Sequence, residues 1–134
     1  MNELIRPLLL LLLALLLGCA EAARAPVPGD FPLDNTDHPL FSIHWRLDRA
    51  EGEVRAVGVV EAKHADDVGS VVVELREIDP SGRVVGRALG QTYGGRINFW
   101  ESRPFAVELR PQAQNDRFEV RVFSFSWETG GAGR

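Results

Sequence analysis

Apolar and polar residues alternate over short runs through most of the chain. From Leu40 to Ala50, Phe41, Ile43, Trp45 and Leu47 face one way, and Ser42, His44, Arg46 and Asp48 the other. A period of two is the signature of a half-buried strand. Glu51-Gly52 makes a turn, and Glu53–Ala62 reads as a second strand with Val54, Ala56, Val60 and Ala62 on one face. Val57 and Val59 lie on its other face, so this strand is expected to be covered on both sides. Lys63–Gly69 is a polar loop. Ser70–Asp79 is a third strand, with Val71, Val73 and Leu75 inward, and its alternation fails at Glu77 and Ile78. Asp79-Pro80-Ser81-Gly82 is a turn: Asp suits the first position, Pro presets φ at the second, and Gly accepts positive φ at the fourth. A hairpin into Arg83–Leu89 follows.

Gly90–Arg103 contains Gly94-Gly95 and reads as an irregular loop or a short edge strand. Pro104–Arg110 alternates again, and Pro111–Asp116 is a polar turn. In the last strand, Arg117–Glu128, the inward set Phe118, Val120, Val122 gives way to Phe123, Phe125 and Trp127. Either a bulge makes that switch or the far end is covered on its other side. No helix is expected after residue 19. Six or seven short strands at roughly 8–12-residue spacing define an all-β chain, most simply a single immunoglobulin-like β-sandwich at residues 40–128.

The N-terminus is of another kind. Leu8–Leu17 is an unbroken apolar run between a weakly basic start and Gly18-Cys19. As a helix it spans about 15 Å, half of a bilayer core of roughly 30 Å, which fits a cleaved signal helix better than a permanent membrane span. Leu16-Leu17-Gly18-Cys19 resembles the lipobox of bacterial lipoproteins, with Leu three residues before the Cys and Gly directly before it. Leu17 stands where that family commonly has Ala, Ser or Thr. The resemblance implies cleavage after Gly18, with Cys19 becoming a lipid-modified N-terminus that carries a diacylglycerol thioether. Ala20 after that Cys implies, in a Gram-negative host, sorting to the outer membrane facing the periplasm. The membrane, through the lipid, is then the first expected partner.

Residues 19–39 carry Pro26, Pro28, Pro32 and Pro39 with Glu21, Asp30, Asp34 and Asp37 and no apolar period. They read as an extended tether. The later half, around Phe31 and Leu33, either continues that tether or packs on the edge of the domain. Residues 129–134 form a Gly-rich tail. The expected divisions are thus 1–18, 19–39, 40–128 and 129–134.

Composition narrows the partners. The net charge is −4, and no basic cluster points to nucleic acid or to lipid headgroups. Cys19 is the only Cys, so no intramolecular disulfide can form. Lys63 is the only Lys among scattered arginines, which fits coding bias better than an anion site. Gly58-Val59-Val60-Glu61, Val71–Asp79, the Gly82 turn and Phe118–Trp127 together resemble the FxLyD-type domains of prokaryotic envelope lipoproteins. The likeness covers roughly residues 52–127; Leu75 and Glu77 stand where the namesake motif has Phe and Leu. It implies an immunoglobulin-like sandwich and carries no general catalytic activity.

Candidate chemistry is sparse. His38, His44 and His64 lack zinc-site spacing and read as solvent-facing; Asp66-Asp67 and Asp34 with Asp37 lack calcium-loop spacing. No nucleophile motif occurs, no cofactor is expected, and the reading is of a protein that is not an enzyme. Glu74, Glu108 and Glu119 beside Arg76, Arg110 and Arg121 read as cross-strand charge pairs on a wet sheet face. The candidate partner-binding residues are Tyr93, Arg96 and Trp100, because aromatic and Arg side chains make interface anchors. Phe99 is expected to plug one end of the sandwich, whereas Tyr93 and Trp100 either plug it or face a partner. The expected function is a binding or scaffolding module for another envelope protein. The alternatives are an inhibitor or accessory subunit of an envelope enzyme acting through residues 90–103, and, last, a hydrolase or small-ligand carrier.

Overall fold

The computed structural model describes residues 24–114 and 116–128. Cys19, the apolar run before it and the Gly-rich tail lie outside the described residues. Seven antiparallel strands form two sheets: β1 Leu33–Asn35, β2 Phe41–Ala50, β3 Glu53–Ala62, β4 Val68–Ile78, β5 Val84–Gln91, β6 Ser102–Leu109 and β7 Arg117–Trp127. One sheet has the order β1-β2-β3-β6 and the other β5-β4-β7. Counting from β2, these neighbours are the A-B-E and C′-C-F strands of an immunoglobulin-like sandwich, with β1 added outside β2.

The period-two pattern is borne out where it was cleanest. Phe41, Ile43 and Trp45 of β2, Val54, Ala56, Val60 and Ala62 of β3, Val71, Val73 and Leu75 of β4, and Phe105 and Val107 of β6 all lie in one buried cluster between the sheets. Each large side chain taken fully from water contributes about 1.5–3 kcal/mol, so this cluster, with no disulfide among the described residues, holds the domain. Val59 is also fully buried, on the outer face of β3, as the doubly apolar pattern required. Gly58 faces Trp45 in the β2–β3 ladder because nothing larger fits there: a Cβ would meet the His44 carbonyl oxygen and come within 2.8 Å of Trp45 Cα.

The 79–82 turn forms as its residues dictate. Gly82 N–H donates to the Asp79 carbonyl at 2.9 Å, and Gly82 takes φ of 87°. The Asp79 carboxylate accepts from Ser81 Oγ at 2.6 Å and from the Ser81 and Arg83 N–H groups, both at 2.9 Å. These bonds, led by the Ser81 hydroxyl, hold its pKa below the usual carboxylate value. In β7 the apolar face switches at a bulge: Val122 pairs with Val73 and Ser124 with Val72, leaving Phe123 extra. Phe125 is thereby turned onto the core.

The structure decides one open alternative and amends two expectations about β4. Of the two readings for the later tether, packing is the one found: Leu33, Asp34 and Asn35 pair with Trp45, His44 and Ile43. Before them a 3-10 turn at Pro28–Asp30 lies against β2 and β3, and Arg46 sits over the Phe31 ring at 5.6 Å. Second, the alternation of β4 fails at Glu77 and Ile78 as the pattern indicates, since both are buried and the β4–β5 register shifts between them, but the placing of Glu77 is unexpected. Glu77 points inward and is fully buried, because the carboxyl group accepts the N–H groups of Gln112, at 2.7 and 3.0 Å, and of Ala113. Third, the charged face of β4 is not wholly wet. The pairs exist, with Glu74 Oε1 at 2.9 Å from Arg121 Nε and Arg76 Nη1 at 3.3 Å from Glu119. But Glu74 is only 2% exposed, covered by Arg76, Arg87 and Arg121.

Candidate interaction surface

One end of the sandwich gathers the start of β2, the β3–β4 loop, the β5–β6 loop and the last residues of β7. The β5–β6 loop runs from Thr92 to Glu101 and is tied down along its length. Thr92 Oγ1 accepts the Val71 N–H at 3.0 Å, and the Thr92 N–H donates to the Val71 carbonyl at 2.9 Å. Ile97 forms a two-way bridge with Val68, at 2.8 and 3.0 Å. Phe99 N–H donates to Asp66 at 3.0 Å and Trp100 N–H to the Ala62 carbonyl at 2.8 Å. Glu101 accepts from Arg103 and from the Asn98 N–H, each at 3.1 Å; these bonds, Arg103 first, keep its pKa low.

The residue that plugs this end is Ile97, fully buried, and not Phe99, which is 48% exposed. A lone apolar residue among Gly, Arg and Asn gave no periodic signal; its only hint was being the one aliphatic side chain in the loop. Phe99 instead stacks edge-on against Trp100, with ring centroids 5.1 Å apart. Trp100 takes φ of 65°, a left-handed conformation rare outside glycine, and is 60% exposed. A non-glycine residue there costs about 1–2 kcal/mol, so the surrounding bonds impose the geometry.

The three candidates separate on inspection. Trp100 and Tyr93 are both outward-facing, Tyr93 with its N–H donating to the Pro104 carbonyl at 3.0 Å. Arg96 is occupied internally: it lies 2.8 Å from Asp67 and 3.9 Å from Glu128, tying this loop to the β3–β4 loop and the end of β7. It therefore positions the surface. Trp127, also largely exposed, belongs by pattern to the apolar face at the end of β7, and it continues an aromatic series, Phe41–Phe125–Trp127, from the core to the surface.

The histidines do not converge. His64 is exposed as expected, but His38 and His44 are half-buried, contrary to the solvent-facing expectation. His38 lies against Phe41 and Phe125, and this burial lowers its pKa, so the imidazole is neutral near pH 7. His44 stands opposite Asp34 in the β1–β2 ladder, with Nε2 3.8 Å from Glu61. Among the described residues no group of three or more His, Cys, Asp or Glu is placed to hold a metal ion, and no helix is long and apolar enough to cross a membrane. An open groove of about 390 Å³ runs beside β7, over Phe41, Ile43, Val120 and Val122, with Asp37, Glu119, Arg76 and Arg121 at its margins. Its charges balance, and it favours neither anion nor cation.

Fold and surface together define a class: a two-sheet β-sandwich that presents a braced aromatic group at one end. No family model, no curated protein and no solved structure matches the chain.

Proposed function

We propose that this is a lipid-anchored protein of the cell envelope whose sandwich is a non-enzymatic module for binding another envelope protein. The anchoring half rests on Leu16-Leu17-Gly18-Cys19 and on the short apolar run before it. The binding half rests on one observation: Tyr93, Phe99 and Trp100 are exposed on a loop whose backbone is held by at least four hydrogen bonds to neighbouring strands and loops. Large aromatic side chains on a rigid frame lose little conformational entropy on docking, which is the property of interface anchors. In a Gram-negative host, Ala20 after Cys19 supports placement in the outer membrane, facing the periplasm, and that placement is part of the proposal.

A pull-down from crosslinked membranes, comparing wild type with Trp100→Ala, tests the binding half. Loss of a specific partner from a variant with unchanged thermal unfolding supports it. An unchanged partner set from a folded variant overturns it. If the lost partner is an envelope enzyme whose turnover changes with it, the module acts as an inhibitor or accessory subunit.

A further inference from the structure

Four Glu–apolar–Arg triads occur in the chain: Glu53-Val54-Arg55, Glu74-Leu75-Arg76, Glu108-Leu109-Arg110 and Glu119-Val120-Arg121. Read backwards, such a triad is its own complement, with Glu opposite Arg and apolar opposite apolar. The fold uses this twice. Glu74, Leu75 and Arg76 stand opposite Arg121, Val120 and Glu119 in the β4–β7 ladder. Val54 and Arg55 stand opposite Leu109 and Glu108 in the β3–β6 ladder, with Arg55 3.6 Å from Glu108.

β7 is an edge strand, so its triad has a second side. The Val120 carbonyl points away from β4, where it accepts Asn35 Nδ2 at 2.7 Å. Strand periodicity turns the N–H and C=O groups of Phe118 and Val122 the same way. Arg121 meets Glu74 through Nε, which leaves its two Nη groups for another acceptor, and Glu119 meets Arg76 through Oε1, which leaves Oε2.

We propose that β7 pairs antiparallel with the β7 of a second copy of this chain, about a two-fold axis at Val120, so that Glu119 of each copy faces Arg121 of the other. Two three-stranded sheets become one sheet of six. The charges select the occupant and the register together. A slip of one register step either way places Arg121 opposite Arg121 or Glu119 opposite Glu119, and like charges directly opposite are unfavourable. The interface is isologous, as closed dimers require. Asn35 releases the Val120 carbonyl, which takes the Val120 N–H of the other copy in exchange. This pairing uses the edge of the sandwich and leaves its aromatic end free.

Two full-length copies with different affinity tags, produced together and solubilised from membranes, provide the test. Wild-type copies are expected to co-purify. Glu119→Arg paired with itself opposes Arg to Arg, and Arg121→Glu paired with itself opposes Glu to Glu; each should lose co-purification by about tenfold or more. Glu119→Arg paired with Arg121→Glu restores both contacts and should return co-purification to within about twofold of wild type. Misfolding of either variant cannot produce that recovery, since both variants are present in the mixed pair. Wild-type copies that fail to co-purify, or a mixed pair no better than either variant alone, overturn the proposal.

Discussion

The Asp116 carboxyl group lies beside that of Glu77 at the end of the sandwich remote from the aromatic loop, with only 5% and 0% of the two residues exposed. Hydrogen bonding to Glu77, then burial, then the charges of Glu77 and Asp79 raise the Asp116 pKa above its ordinary value of 3.8. A carboxyl group whose pKa is higher folded than unfolded stabilises the fold while protonated. That contribution is full below pH 3.8 and is lost as the pH rises through the folded pKa. Asp116→Asn, which keeps a hydrogen-bond donor but cannot ionise, should gain on wild type as the pH rises from about 4 to 7. Urea unfolding of both proteins across that range checks this; a stability difference that does not change with pH refutes the assignment.

Removing Glu77 itself should cost more. Glu77→Leu leaves the Gln112 and Ala113 N–H groups without their acceptor, beside Asp116. Stranded, part-buried donors predict a loss of about 1–3 kcal/mol in denaturant unfolding. A loss under about 1 kcal/mol would show that water replaces the carboxyl group freely.

Gly58→Ala should be among the most damaging single changes in the domain. The added methyl group meets the backbone of β2 rather than a side chain able to rotate away. A loss above about 3 kcal/mol is expected, or failure to accumulate as folded protein. Thermal melts of this variant beside Gly29→Ala, where a Cβ meets nothing within 4 Å, make the comparison.

Trp100→Gly and Trp100→Ala should differ. Glycine relieves the left-handed backbone, so it should match or exceed wild-type stability by up to about 1 kcal/mol, whereas alanine keeps the strain. Both should lose partner capture equally. A stability loss in the glycine variant would mean that the indole supports the fold.

Much of this architecture was legible because its strands are half-buried, and the alternation survives in Phe41-Ser42-Ile43-His44-Trp45. Residues that depend on distant neighbours were not. Leu33-Asp34-Asn35 carries no strand pattern; it is a strand because β2 offers an open edge and Asn35 finds the Val120 carbonyl. The burial of Glu77 has no local signal because the N–H groups that need it lie 35 and 36 residues further along the chain. At the candidate surface, Tyr93 and Trp100 stand out by residue type, while Ile97 and Trp127 do not. Nothing local distinguishes an aliphatic plug from a loop residue, or an exposed Trp from a buried one.

Cys19→Ala should abolish metabolic lipid labelling and leave thermal unfolding unchanged, because the buried cluster that holds the domain is drawn from Phe41 to Val120. Detergent phase partitioning retained by the cleaved variant would count against the anchor.

The short ladder between β1 and β2 also governs how the protein meets a pull. Load entering from the N-terminal side reaches the 3-10 turn and the three residues of β1 before any core strand. Their release frees the chain from Arg24 to about Asp37, some 45–50 Å at full extension, up to the point where His38 and Leu40 hold it to the core. Phe41, Ile43 and the two-sheet core stay folded meanwhile. The segment is in effect a stowed length of line, paid out under tension before the sandwich feels the force.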